Sequence, residues 1–102
     1  MTFYKWDKTA ANNATADTTI NAREGMAPSQ VNDAMRAMMA ASAKFRDDIS
    51  GAITTGGTST AYTATTSQSI TFASGRLLTI VPHATNGDAP TLDVDGTGAK
   101  PL

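Results

Sequence analysis

The one histidine of the chain, His83, lies in "VPHATNGD" at 81–88. A serine or threonine nucleophile needs such a base beside it, and the hydrolase pattern presents the serine on a Gly-x-Ser-x-Gly elbow. No elbow of that form occurs, so His83 is read as a hydrogen-bonding residue of the turn after Pro82. "DVDGTG" at 93–98 opens like a calcium loop, with oxygen ligands at Asp93, Asp95 and Thr97 and glycine at the sixth position. The closing glutamate would fall beyond Leu102, and alternating Asp on the solvent face of a strand running into an Asp-Gly turn explains the same residues without an ion. Asp88, Asp93 and Asp95 could form a carboxylate pair for glycoside hydrolysis only in a cleft that raises the pKa of one of them, which a sheet this small does not offer. The glycines of "TTGGT" at 54–58 lack a P-loop lysine and read as a linker. No catalytic residue, metal site or cofactor is expected, and the chain is not expected to be an enzyme.

Function must then reside in surfaces, and composition narrows which ones. With 102 residues the chain is one small domain at most, and only three Phe, two Tyr and one Trp are available to build its core. The core is expected to be thin, so further copies or a partner would help it. The net charge of −1 is spread without basic clusters, which disfavours nucleic acid and anionic membrane as partners. No run approaches the length of a signal peptide core or a membrane span, so the chain is expected to be made and kept in a cytoplasm until assembly. Without cysteine there is no disulfide, thiolate site or thiol redox chemistry.

Three segments differ in character. Residues 1–27 are rich in Asn, Asp, Thr and Gly, whose side chains compete with regular structure, and predict an extended or turn-rich arm. Phe3, Tyr4 and Trp6 sit at its start, half the aromatics of the chain, where polar residues are commoner. Residues 28–50 predict the only helix, opened by Pro28 or by Ser29 as N-cap and closed by Gly51. Val31, Met35, Met38, Ser42, Phe45 and Ile49 step through it by 4, 3, 4, 3 and 4, a heptad seam flanked by small Ala34 and Ala41. A Met-rich stripe could also line a ligand groove, but this spacing belongs more often to a core or a coiled coil.

Residues 51–102 are Thr- and Gly-rich and predict four short strands, in "TSTAYTATT", "SITF", "RLLTIV" and "TLDV". Pro82 should end the third and Pro90 precede the fourth. Ile70, Phe72, Leu78, Ile80, Leu92 and Val94 would supply the apolar face of a small antiparallel sheet. The fold class expected is therefore α+β: an extended arm, one central helix, and a small antiparallel β domain.

Four stretches, "TAANNATADTTIN", "EGMAPSQVNDAMRAMMAASAKFRDDISG", "TGGTSTAYT" and "PHATNGDAPTLDVDGTGAKPL", resemble in that order the N-terminal region of tail fibre proteins of tailed phages and prophages. The resemblance spans nearly the whole chain. It implies a homotrimer in the virion, with Phe3, Tyr4, Trp6 and the arm 1–27 docking on a tail or baseplate protein. It places 29–49 on a three-fold axis and leaves host glycan to more distal parts of a fibre. Where the family pattern tends to have an aromatic after "IN", this chain has Ala22-Arg23. Related fibres usually continue beyond "AKPL", which fits either a virion-proximal portion of a longer fibre or a short adaptor. A hydroxyl-rich sheet binding glycan directly, with Tyr62 as its one stacking ring, is the alternative.

Overall fold

The computed structural model describes residues 2–71 and 73–102. It is α+β, with one α-helix and small mixed sheets among the described residues, and it divides into two compact units, Met1–Phe45 and Arg46–Leu102. The fold departs from an extended arm followed by an antiparallel sheet in both halves.

In the first unit the arm is turn-rich rather than extended. Short 3-10 turns form at Phe3–Lys5 and Ala10–Ala14. Between them the Asp7 N–H donates to Asn13 Oδ1 at 2.8 Å, while Asn13 Nδ2 returns a hydrogen bond to the Asp7 carbonyl at 2.9 Å. Thr9 N–H donates to Asp7 Oδ1 at 2.7 Å, which holds the Asp7 carboxyl below its ordinary range, with Asn12 adding to the effect. The polar side chains that disfavour helix and strand thus supply the arm's own order. Asp17 and Ile20 are its buried residues.

The helix α1 spans Pro28–Ile49. Pro28 takes the first helical position, where its missing N–H costs nothing. Ser29 is not the N-cap, since it already lies inside the helix. Gln30 performs the capping function, its Oε1 accepting the Ala27 N–H at 3.0 Å in the manner of a capping box. Gly51, at φ +84°, closes the helix in the left-handed region as expected of a glycine just past a C-terminus.

Among the described residues of the second unit six short strands form two sheets. They are β1 Ile53–Thr54, β2 Gly56–Gly57, β3 Ala61–Ala64, β4 Ile80–Val81, β5 Thr91–Val94 and β6 Ala99–Pro101. One sheet is the pair β1–β4, and the other has the order β2-β3-β5-β6. The sheets are mixed, not antiparallel: β1 runs parallel to β4, and β3 parallel to β5 with Tyr62 beside Leu92 and Ala64 beside Val94. The physical reason is the long connection 65–90, which returns the chain to the same end of β3 and permits a parallel partner, whereas a tight hairpin would force an antiparallel one.

Burial alternates without a break from Tyr62 to Ile70, although the β-ladder on this run ends at Ala64. "SITF" forms no strand among its described residues, and Phe72 lies outside them. The run 66–68, bent at Ser67 and Gln68, donates its backbone N–H groups to carboxylates instead of to a neighbouring strand. Asp48, fully buried near the end of α1, accepts the Ser67 N–H at 2.7 Å, the Gln68 N–H at 3.2 Å and Gln68 Nε2 at 3.0 Å. Asp95 accepts the Thr66 N–H at 2.8 Å and the Thr66 hydroxyl. "RLLTIV" contributes only Ile80–Val81, ended by Pro82, and Pro90 precedes β5. Of the expected apolar face, Ile70 and Val94 are buried, while Leu78, Ile80 and Leu92 are half-buried; Ile53, Tyr62 and Ala64 complete the core.

Candidate functional site

The helix carries two stripes of different chemistry. Ala34, Ala41 and Asp48, seven residues apart in turn, are buried. About a quarter turn away, at 100° per residue, runs the stripe Val31, Met35, Met38 and Ser42. Val31 is 43% exposed, Met35 54% and Met38 42%, with Met39 beyond them at 70%. Small residues therefore let the chain pack closely on one stripe, while the larger apolar residues of the other remain in solvent. The Ser42 hydroxyl donates back to the Met38 carbonyl at 2.8 Å, so its proton is engaged within the helix.

The stripe ends differently from how it begins. Phe45 is half-buried because the arm's aromatics lie on it: Phe3 stacks at 4.7 Å between centroids, and Tyr4 meets it edge-on at 6.4 Å. Trp6 packs against Phe3 at 4.8 Å. Phe3, Tyr4 and Trp6 are each half-buried, and they are brought together around Phe45. Ile49, in the second unit, is half-buried.

Asp17 has no motif around it and escaped the reading of the sequence. Only 3% exposed, it accepts the Thr19 N–H at 2.9 Å and the Thr19 hydroxyl at 2.6 Å on Oδ1. Burial pushes its carboxyl up, but the two Thr19 hydrogen bonds, with the charge of Lys5, outweigh burial and hold it below the ordinary range. The Asx-turn signal "DTT" at 17–19 marks its local hydrogen bonds, whereas nothing local marks its burial.

The residues first weighed for chemistry have structural partners. His83 does not bond within its own turn; it reaches β2 and the residue between β1 and β2, with Nε2 donating to the Gly57 carbonyl at 3.1 Å and Nδ1 meeting Thr55 Oγ1 at 2.8 Å. A carbonyl can only accept, so the proton sits on Nε2. Asp93 Oδ1 accepts the Gly98 N–H at 3.2 Å within the β5–β6 turn, where Asp95 and Gly96 adopt φ of 54° and 71°. Tyr62 is buried, its hydroxyl placed on the Ala84 carbonyl at 2.7 Å and Asn86 Oδ1 at 2.8 Å, so it presents no ring face for a sugar. Among the described residues no group of three His, Cys, Asp or Glu is placed to hold a metal, and no helix is long and apolar enough to cross a membrane. Comparison with protein-family models, with curated proteins and with solved structures returned no match.

Proposed function

We propose that this chain is a structural virion protein, the N-terminal attachment and trimerisation module of a tail fibre, joining the fibre to the tail or baseplate. The observation that supports it is the outward stripe of Val31, Met35 and Met38 on a helix whose small-residue stripe is already covered by its own chain. About half of each side chain is already covered, so burying the rest is worth about 0.7–1.5 kcal/mol each, and three copies sharing an axis would recover that from every chain. The long helix amid short strands and a thin core makes self-association the natural source of added stability.

In this reading Val31, Met35, Met38, Ser42, Phe45 and Ile49 form the seam of a homotrimer. The arm 1–27, with Phe3, Tyr4 and Trp6, docks on a tail or baseplate protein. Three tethered arms raise one another's effective concentration at the docking site. Assembly takes place in the bacterial host cytoplasm, and the chain performs no reaction. Sedimentation equilibrium of the purified chain over a wide concentration range tests the seam. A mass three times the 10.5 kDa of one chain is expected, and a folded monomer at every concentration refutes it.

A further inference from the structure

The arm and the helix of the first unit line a half-open cavity of about 220 Å³. That volume is roughly seven waters' worth at about 30 Å³ each. Trp6, Ile20, Ala22 and Met38 form its apolar walls, and Asp7, Asn13 and Asp17 its polar ones. Two of those polar groups are engaged with each other: Asn13 closes on the Asp7 backbone, and Asp7 Oδ1 takes the Thr9 N–H. Asp17 differs. Its Oδ1 is occupied by Thr19, but its Oδ2, shielded from solvent, has no hydrogen-bond partner among the described residues.

A desolvated carboxylate with one oxygen unpaired is costly, and the cost is relieved when a donor or a cation reaches it. The Thr19 hydrogen bonds keep Asp17 anionic instead of letting it neutralise. Lys5 contributes charge, but it is exposed and makes no hydrogen bond to the carboxylate. The surroundings specify the kind of cation. An indole face attracts a cation, and methionine and aliphatic walls accept a hydrocarbon stem. A metal ion would want several oxygen ligands, which this mostly apolar lining does not bring together.

We propose that this cavity receives a guanidinium or ammonium group carried on an aliphatic stem, as an Arg or Lys side chain presents it, with Asp17 as counter-ion and Trp6 and Met38 against the stem. This site goes beyond the trimer reading and does not depend on it.

Trp6 is the one tryptophan of the chain, so its fluorescence reports on the cavity without a label. The full chain is titrated with n-butylguanidinium and n-butylammonium at constant ionic strength, with n-butanol as the neutral control. The cations are expected to give a saturable change with a millimolar midpoint, and butanol none. Asp17→Asn keeps an acceptor for Thr19 and should weaken cation binding about tenfold or more, as loss of a charge-assisted hydrogen bond does. Ala22→Leu keeps the carboxylate but fills the cavity, and should weaken binding likewise, which guards against Asp17→Asn simply failing to fold. An equal response to butanol, a non-saturating response to the cations, or unchanged binding in Ala22→Leu overturns the proposal. Sedimentation of Asp17→Asn then identifies the source. Weaker self-association means the group comes from a neighbouring copy, and unchanged self-association with lost butylguanidinium binding means it comes from a different protein. A failure of the helix seam leaves this titration unaffected, because it is read on each chain separately.

Discussion

The ring of Phe3 lies on the ring of Phe45, centroids 4.7 Å apart and planes 20° from parallel. The heptad spacing puts Phe45 on an apolar seam and the resemblance to tail fibres implies a docking role for the aromatic arm, whereas the fold joins Phe45 and Phe3 within one chain. Phe45 is thus the level at which the arm and the helix stripe compete for the same apolar surface. Above it, Met38 and Met35 carry no such ring contact and stay more exposed.

Replacing Phe3 with Ala should therefore loosen the first unit. A half-buried aromatic pair contributes about 0.5–1.5 kcal/mol beyond the area it buries, and truncation adds the lost burial, so a destabilisation of about 2 kcal/mol is expected. Trp6 packs on Phe3 at 4.8 Å, so its emission should shift to the red as its ring gains water. Unchanged emission and an unchanged denaturant midpoint would show that the Phe3–Phe45 contact contributes nothing to the fold.

Asp48 should be the most sensitive polar position in the second unit. A carboxylate near a helix C-terminus opposes the helix dipole, yet Asp48 is fully buried there because three N–H groups of Ser67 and Gln68 converge on it. Asp48→Ala would leave those donors unsatisfied at about 1–3 kcal/mol each where they remain buried, for a total on the order of 3–5 kcal/mol. Asp48→Asn keeps one acceptor oxygen and should cost less. Thermal melts followed by circular dichroism would rank the two, and equal melting temperatures for Asp48→Ala and the parent would contradict the pinning of 66–68.

How much of this was legible differs by residue. The helix was, because its start, its period and its stop at Gly51 are local signals that the rest of the chain does not override. The turns at Pro82 and Asp95-Gly96 were legible for the same reason. Parallel pairing of β3 with β5 was not, since which strand a chain returns to depends on the path of the connection 65–90 and not on alternation within either strand. The strand expected in "SITF" does not form, and the hydrogen bonds of 66–68 just before it go to Asp48 and Asp95, which lie far along the chain and leave no local sign in the sequence. At the site, the stripe of Val31, Met35 and Met38 could be read from spacing alone. Asp17 could not, because burial of one carboxylate in an irregular arm leaves no periodic trace.

Acid should act on the first unit through the buried Asp17 and, to a lesser extent, through the exposed Asp7, whose carboxyl the Thr9 N–H also holds below its ordinary range. The folded pKa of Asp17 lies below the usual value of 3.8 because the Thr19 hydrogen bonds and Lys5 outweigh burial. A carboxylate whose folded pKa is depressed contributes stability that is fully present above its unfolded pKa and is lost as pH falls through the folded one. Stability should thus be flat from neutral pH down to about pH 4 and decline below it. Asp17→Asn, which cannot titrate, should flatten that decline in an acid titration followed by Trp6 fluorescence. A decline of the same steepness in the variant would place the acid sensitivity elsewhere.

The outward stripe makes the sharpest demand. Met35 and Met38 are 54% and 42% exposed in the single chain, so replacing both with Asp gives up about half of each side chain's burial and should cost that chain about 1.5–3 kcal/mol. In a trimer the same change places six carboxylates around one axis, where like charges repel and each is taken out of water. Association should then fall below detection while the circular dichroism spectrum of the single chain is preserved. Phe45→Asp is a poorer test, because it also removes the platform for Phe3 and Tyr4 and confounds folding with assembly. Sedimentation of Met35→Asp/Met38→Asp beside the parent reads the two effects apart. A variant that still sediments as a trimer would move the contact between chains away from this helix face, and the tail fibre reading would then need another surface to hold three copies together.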